Sequence, residues 1–396
     1  MNTTIFDDET VLEDLWRAYY DARKHKRNTA NAIQFELYLE HNIYQLYCEI
    51  VENRYEISPS ICFVVNKPVK REIFAANFRD RVVHHYVMNK LMHIFENQFI
   101  DDTYSCRVGK GTLYGIQRLQ TFIRSCSENY QKDAYILKLD IQGYFMNIRK
   151  PLLYAKMEDL IRKKYKGDDL DRILRLVKSI VLHDPTRNCI FKGRKSDWNG
   201  LPANKSLFTT PQNCGLPIGN LTSQIFANYY LNDFDHFMKE TMKLKYYGRY
   251  VDDFFIVHRD HEYLRKLVPI VNKYLLDTLG AKIHPKKIYL QSYVKGVSYL
   301  GVYILPYRTY LAKRTKGNFY EKVLYLEKFG SLCLKRPFKA DLKSMEASLN
   351  SYFGSSIHSN SYMFCGQMIE IFSDSWFQQY EISHFYQKVL LRRTVD

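Results

Sequence analysis

The chain has 396 residues, 46% of them apolar, enough for two or three subdomains with real cores. Lysine and arginine number 58 against 42 acidic residues, and the net charge of +16 suits a polyanion such as nucleic acid. No run of ~18 apolar residues, no basic-then-apolar leader and no Cys-x-x-Cys pair among eight cysteines is present. A membrane span, a secretory signal and a zinc site are therefore not expected, and a reducing cytoplasm is.

In chain order, residues 9–53 carry apolar side chains at helical spacing, with Leu12, Leu15, Trp16 and Tyr19 in one set and Phe35, Leu39, Ile43 and Leu46 in a second, predicting two helices. Residues 61–66 and 71–75 read as strands joined by a turn at Pro68, and 78–95 as a helix. Tyr135 to Asp140 is a short buried strand ending in a carboxylate. Helices follow over 152–165 and 170–182. Residues 184–213, rich in Asn, Lys, Gly, Pro and Ser, form a long loop of the kind that is functional or mobile. A helix over 223–242 is expected, N-capped by Thr222. Residues 246–251 and 254–258 form a hairpin, 263–279 a helix, and 288–291 and 297–304 strands. The remainder reads as helical, with segments near 319–329, 340–352 and 362–373. Between Arg308 and Lys343, ten basic residues face three acidic ones.

The hairpin carries the most informative residues. Asp252 and Asp253 are enclosed by Tyr250, Val251, Phe254, Phe255, Ile256 and Val257. Adjacent buried carboxylates repel, and one takes up a proton unless a cation sits between them. Mg²⁺ fits, because it takes oxygen ligands from one or two carboxylates and shares its shell with substrate phosphates. The other Asp-Asp pairs, at Asp7-Asp8, Asp101-Asp102 and Asp168-Asp169, lie among polar residues and need only solvation. A hairpin tip in water would also account for Asp252 and Asp253. Asp140 adds a third acid, although an aspartate at a strand end also serves as a helix N-cap. Three such acids on neighbouring strands can hold two ions about 4 Å apart, which suits phosphoryl transfer.

Several blocks, in order along nearly the whole chain, resemble reverse transcriptases: Lys67-Pro-Val-Lys-Arg71 with Phe78-Arg-Asp-Arg-Val-Val-His84, Ser105-Cys-Arg-Val-Gly-Lys-Gly-Thr112, Leu137-Lys-Leu-Asp-Ile-Gln-Gly-Tyr-Phe145, Tyr250-Val-Asp-Asp253 and Gly296-Val-Ser-Tyr-Leu-Gly-Val302. The resemblance implies an α+β right-hand polymerase. Its parts would be an N-terminal helical extension (1–60), interleaved fingers and palm with an antiparallel sheet plus helices (61–306), and a helical thumb (307–396) containing Ser351-Tyr-Phe-Gly-Ser-Ser-Ile-His358. It implies catalysis by Asp140, Asp252 and Asp253, and a metal set of Asp140, Ile141, Asp252 and Asp253 holding two Mg²⁺, with Mn²⁺ as a substitute. Lys67, Arg71, Phe145, Ile218 and Gly219 would meet the deoxynucleotide, with Phe145 as a gate against a ribose 2′-OH. Arg107, Lys110, Gln224, Tyr299, Leu300 and Gly301 would meet template and primer. Lys286 or Lys287 would assist pyrophosphate release. Each of these residues also has an ordinary structural reading: a solvated hairpin for Lys67 and Arg71, a core ring for Phe145.

One block departs from most of the family. Gly215-Leu-Pro-Ile-Gly-Asn-Leu-Thr-Ser-Gln224 has Ile218 where a glutamine is usual and Gln224 where a proline is usual. With Ala227-Asn228, Tyr230-Leu231 and the loop Ser196–Leu207, it resembles the reverse transcriptases of diversity-generating retroelements. Those enzymes copy a template-repeat RNA into cDNA with errors at adenine, alongside a small basic, oligomeric accessory protein. The implied partners are template RNA, the RNA/DNA duplex, deoxynucleotides and that accessory protein, with no membrane, in a bacterial, archaeal or phage-encoded setting. Reverse transcriptases of group II introns and retrons are the nearest alternative. A non-catalytic RNA-binding scaffold is the alternative of another class.

Overall fold

A computed structural model describes residues 4–24, 26–66, 69–333, 339–383 and 386–392. The chain divides into two compact units. One comprises Met1–Val108, Leu139–Phe254 and Lys266–Ile288, the other Gly109–Lys138, Phe255–Arg265 and Tyr289–Asp396.

The first unit opens with three helices, Thr4–Arg23, Ala30–Glu36 and Leu39–Val51, where periodicity predicted two. The second helical stretch is broken at Leu37 and Tyr38, both largely exposed. The strands Ser60–Val65 and Arg71–Ala75 form the expected antiparallel hairpin, in register from Ile61 opposite Ala75 to Val65 opposite Arg71. Alternation sets its faces, with Cys62 and Phe74 buried and Arg71 exposed. Phe78–Glu96 follows as a helix N-capped by Asn77, whose side chain accepts from the Arg79 amide.

Residues 184–213 are less irregular than expected. Cys189–Phe191 adds to the hairpin as a third, parallel strand, and three short 3₁₀ turns follow. The long helix expected over 223–242 is three pieces: Leu221–Tyr230, Asn232–His236 and a π-helical turn, Phe237–Thr241. Its N-cap is Asn220 rather than Thr222, which is buried two residues further on.

A four-stranded sheet has the order Tyr247–Tyr250, Asp253–His258, Tyr135–Asp140, Tyr289–Ser292. Residues 139–140 and 253–254 of its central strands belong to the first unit. Tyr135–Asp140 pairs antiparallel with Tyr289–Ser292, Tyr135 opposite Ser292.

The second unit contains the helix Thr112–Cys126, unassigned from sequence, and a three-stranded antiparallel sheet of Val297–Tyr299, Val302–Leu305 and Arg308–Leu311. Helices Lys313–Cys333, Lys339–Ser356 and Tyr362–Ile369 follow. Phe319, Leu349, Phe353 and Trp376 centre the core of this helical region. The C-terminal stretch is not wholly helical, because Tyr380–Ile382 and Val389–Leu391 pair as a small antiparallel ribbon. No helix among the described residues is long and apolar enough to cross a membrane.

Candidate active site

Asp140 ends its strand where the chain turns toward the short helix Tyr144–Asn147. Its carbonyl accepts from the His284 amide at 2.8 Å, and the next amide, of Ile141, donates to the Asp252 carbonyl at 3.1 Å. This second bond ties the strand end to the hairpin bend, so residues 112 positions apart become neighbours. Asp253 begins the strand that Asp252 leads into. Ile141 itself is buried and bridges to Ile283.

The electrostatics follow from this proximity. Burial, and then the neighbouring Asp140 carboxylate, push the Asp252 carboxyl up to about 7, with Asp253 adding to the shift. The Lys287 ammonium lies 2.7 Å from Asp140 Oδ2. Of the two candidate lysines, Lys287 therefore reaches the acids, while Lys286 bonds the His284 ring through its backbone amide.

Among the described residues, no three metal-ligating side chains are gathered closely enough to hold an ion by themselves. The donor set still fits a hard divalent cation. Asp140 and Asp252 are mutually repelling oxygen donors, and a cation of this kind draws the rest of its shell from substrate phosphates and water.

Beneath the bend lies a network that the sequence did not reveal. Arg249 and Asp235 are both fully buried and ion-paired, with Arg249 Nε 2.7 Å from Asp235 Oδ1. Tyr247 donates to the same carboxylate at 2.6 Å, and Thr103 at 3.3 Å. Arg249 also donates to Asn228, whose amide reaches the Ser105 carbonyl, and to the Val251 carbonyl. Val251 has φ of +57°, a conformation that a β-branched residue adopts only when its surroundings impose it. Asp102 belongs to this layer too. It is buried and takes the Lys239 ammonium at 3.0 Å, so the Asp101-Asp102 pair is more than a solvated loop.

Of the expected nucleotide residues, Phe145, Ile218 and Gly219 lie against the fingers hairpin. Phe145 and Ile218 pack against a core of Cys62, Phe74, Met146 and Leu207. The Phe74 amide donates to the Ile218 carbonyl at 3.0 Å, and the Leu216 amide to Phe145 at 2.9 Å. Gly219 has φ of +123°, and a Cβ there would come within 2.8 Å of Ile73 Cγ2, so no other residue fits without displacement. Asn220, unremarked in the sequence, accepts from the Ala76 amide at 2.9 Å and donates to the Phe74 carbonyl at 3.1 Å, joining this turn to the hairpin. Arg71 is exposed at the hairpin's end, and Lys67 lies outside the described residues.

The expected template and primer residues belong to both units, Arg107 and Gln224 to the first and Lys110, Tyr299, Leu300 and Gly301 to the second. The Arg107 side chain is not free: it pairs with Glu96 at 2.8 Å and donates to the Ile100 and Thr103 carbonyls. Gln224 is exposed and accepts from the Cys106 thiol at 2.8 Å. In the second unit, Lys110 lies over the Tyr114 ring at 4.9 Å. Tyr299 is buried edge-on against Phe255, so its side chain is core. Leu300 and Gly301 form the left-handed turn after it, and the Gly301 carbonyl accepts from Ala312 and Thr315.

A mixed helix-and-sheet chain with paired acids on adjacent palm strands, beside a fingers hairpin, is a right-hand polymerase. The reverse transcriptase (RNA-dependent DNA polymerase) family profile matches residues 66–304, more than half the chain. The chain therefore belongs to the reverse transcriptase family, whose members are nucleotidyltransferases that use divalent metal ions. No curated protein sequence is matched. Among solved structures, the chain is similar to apo telomerase from Candida tropicalis at 12% identity, covering 80% of this chain and 56% of that one, with a TM-score of 0.49. It is also similar to telomerase from Candida albicans in complex with a fragment of telomeric RNA, at 12% identity, 85% and 60% coverage and a TM-score of 0.46. The chain thus spans under two thirds of the length of these telomerases.

Proposed function

We propose that this chain is the reverse transcriptase of a diversity-generating retroelement, copying a template-repeat RNA into cDNA with errors directed to adenine. The observation that carries the polymerase part is the coupling of Asp140 and Asp252 through the Ile141 amide, with Lys287 on Asp140. In this reading Asp140, Asp252 and Asp253 bind two Mg²⁺, which supply charge neutralisation at the attacking hydroxyl and the leaving pyrophosphate. Lys287 is placed to hold the acids while no substrate is present, and then to give a proton to pyrophosphate. Phe145 limits the sugar, and Arg71 with Lys67 meets the triphosphate. Residues 307–396 serve as a thumb whose cations follow the duplex backbone.

The retroelement part rests on Ile218 and Gln224. An apolar side chain packed against the core of Cys62, Phe74, Met146 and Leu207 offers no hydrogen bond near the nascent pair, and apolar walls discriminate poorly between partners. A small basic accessory protein is the expected partner. Primer extension on an RNA template with Mg²⁺ tests the reading: the wild-type chain extends and Asp252→Asn does not. Extension by Asp252→Asn at the wild-type rate would reject it, and binding without extension by either chain would favour a scaffold.

A further inference from the structure

The strand Arg71–Ala75 meets the nucleotide side of the first unit at successive residues. The Phe74 amide donates to the Ile218 carbonyl, and Ile73 lies against Gly219. Between these and the exposed Arg71 sits Glu72, only 1% exposed. A carboxylate in a core is costly unless its oxygens are hydrogen-bonded. Glu72 Oε2 accepts from Trp198 Nε1 and from Ser206 Oγ, both at 2.8 Å, and Oε1 accepts from the Leu207 amide at 2.7 Å. All three donors are neutral, and all three belong to residues 198–207, a segment without a part in the metal chemistry.

That segment also touches the turn that carries Phe145. Leu207 is buried in one small core with Met146, Cys62 and Phe74, and Phe145 packs against the same core. The Asn204 carbonyl closes on Gly143, where a Cβ would meet it at 3.3 Å. Elsewhere the turn is held by backbone: the Phe145 carbonyl accepts from the Leu216 amide and the Ile148 carbonyl from the Gly215 amide, both at 2.9 Å. Those bonds fix the main chain and leave the half-buried Phe145 ring to be placed by what it rests on. It rests on a core whose Leu207 is located by Glu72.

We propose that Glu72 is a positioning residue for sugar selection, acting through Leu207 on Phe145. The inference rests on the reading of Phe145 as the gate against a ribose 2′-OH. Glu72 touches no substrate. It fixes the Leu207 backbone, Leu207 fills the core beneath Phe145, and the ring is held where a 2′-OH would collide with it. Such a gate works only while its ring is held to within about 0.5 Å, and supporting side chains supply that precision. Without the carboxylate, residues 198–207 loosen, the ring gains room to retreat and ribonucleotides enter. A deoxynucleotide lacks the hydroxyl and gains nothing from the retreat. The effect is on the sugar and is separate from the choice of base at Ile218.

Single-nucleotide primer extension by the full chain on an RNA template, with dCTP or CTP opposite guanine, tests this through the ratio of the two kcat/KM values. Phe145→Ala reports the gate itself and lowers the preference for dCTP. Glu72→Gln lowers that preference about tenfold, through a smaller KM for CTP. Trp198→Phe removes one donor, keeps the carboxylate and shifts the preference the same way by less. Phe145→Ala combined with Glu72→Gln is no less selective than Phe145→Ala alone, because Glu72 acts through the ring. Equal losses with both nucleotides in Glu72→Gln, the mark of a merely structural role, overturn the inference and leave the gate standing, as does an additive loss in the double variant. If Glu72→Gln does not fold, Trp198→Phe decides, and an unchanged preference there overturns the inference. A preference unchanged in Phe145→Ala overturns the gate reading, and this inference with it.

Discussion

Arg249 Nη1 donates to the Val251 carbonyl at 2.7 Å, across the one residue that the bend holds in a left-handed conformation. Asp252 follows immediately, so the direction of its carboxylate is set by a strained residue that a buried guanidinium clamps. The clamp is in turn fixed by Asp235, Tyr247 and Asn228.

Breaking this buried pair from one side leaves an uncompensated charge. Asp235→Ala is expected to destabilise the chain by about 3–5 kcal/mol in urea unfolding. Asp235→Asn keeps the shape and loses less. In both variants primer extension falls more than RNA binding does, because the bend, not the nucleic-acid surface, is released. Wild-type kcat in a folded Asp235→Asn chain would show that the bend needs no clamp.

Asp140 and Asp252 oppose folding when both are charged and no cation lies between them. Asp252→Asn removes that repulsion. In EDTA at neutral pH it is expected to melt higher than the wild type, by on the order of 1–2 kcal/mol, while losing DNA synthesis. Added Mg²⁺ raises the wild-type melting temperature and not that of the variant. Thermal unfolding with and without metal measures both effects.

The site was legible in part, and the division has a physical basis. Asp140, Asp252 and Asp253 stand out because carboxylates are rare inside apolar, β-prone runs. The hairpin Ser60–Ala75 was legible because two short β-prone runs, 61–66 and 71–75, flank a proline-containing turn in the sequence. Arg249 and Asp235 were not, since each lies in a sequence neighbourhood with other charged or polar groups and only the fold buries them together. Asn220 does not stand out in the sequence because its partners, Phe74 and Ala76, lie far back in the chain. The helix over 223–242 was overdrawn because apolar periodicity continues through Leu231, Phe234 and Met238 even though the backbone changes pitch there. The ribbon of Tyr380–Ile382 and Val389–Leu391 is too short for period-two alternation to register.

Ile218 separates the retroelement reading from the broader family. Ile218→Gln places an amide where the wild type packs an apolar side chain against the core of Cys62, Phe74, Met146 and Leu207. Misincorporation opposite template adenine is expected to fall several-fold, at a cost in stability of about 1 kcal/mol. Sequencing of cDNA made on one RNA template by both chains measures the error spectrum. An unchanged spectrum would assign the infidelity to some other residue.

His84 gives the chain an acid-sensitive core. It is buried, and burial, reinforced by Arg81, His85 and His183, pulls its pKa down to about 3 from 6.5. Its ring nitrogen Nδ1 lies 3.4 Å from Thr222 Oγ1. A depressed folded pKa means that the unfolded chain binds more protons between the two values. Stability is therefore full above pH 6.5 and declines as the pH falls toward 3. Between pH 7 and pH 5 the loss from this residue is about 2 kcal/mol. His84→Phe is expected to flatten that part of the pH–stability curve, measured by urea unfolding at several pH values, even if it melts lower at pH 7.

Glu72 links the fingers hairpin to a segment that follows it by more than a hundred residues. All its acceptor capacity toward Trp198, Ser206 and Leu207 depends on a carboxylate, since each partner donates. Glu72→Gln turns one oxygen into an NH₂ group that faces donors, leaving a buried mismatch worth about 1–3 kcal/mol. The local consequence exceeds the global one, because residues 195–208 lose their anchor while the hairpin keeps its own ladder. Limited proteolysis of Glu72→Gln is expected to cut within 184–213 faster than in the wild type, with Trp198 emission shifted to the red. If the loop stays protected in Glu72→Gln, contacts other than the carboxylate, such as the Phe208–Phe74 packing, hold it.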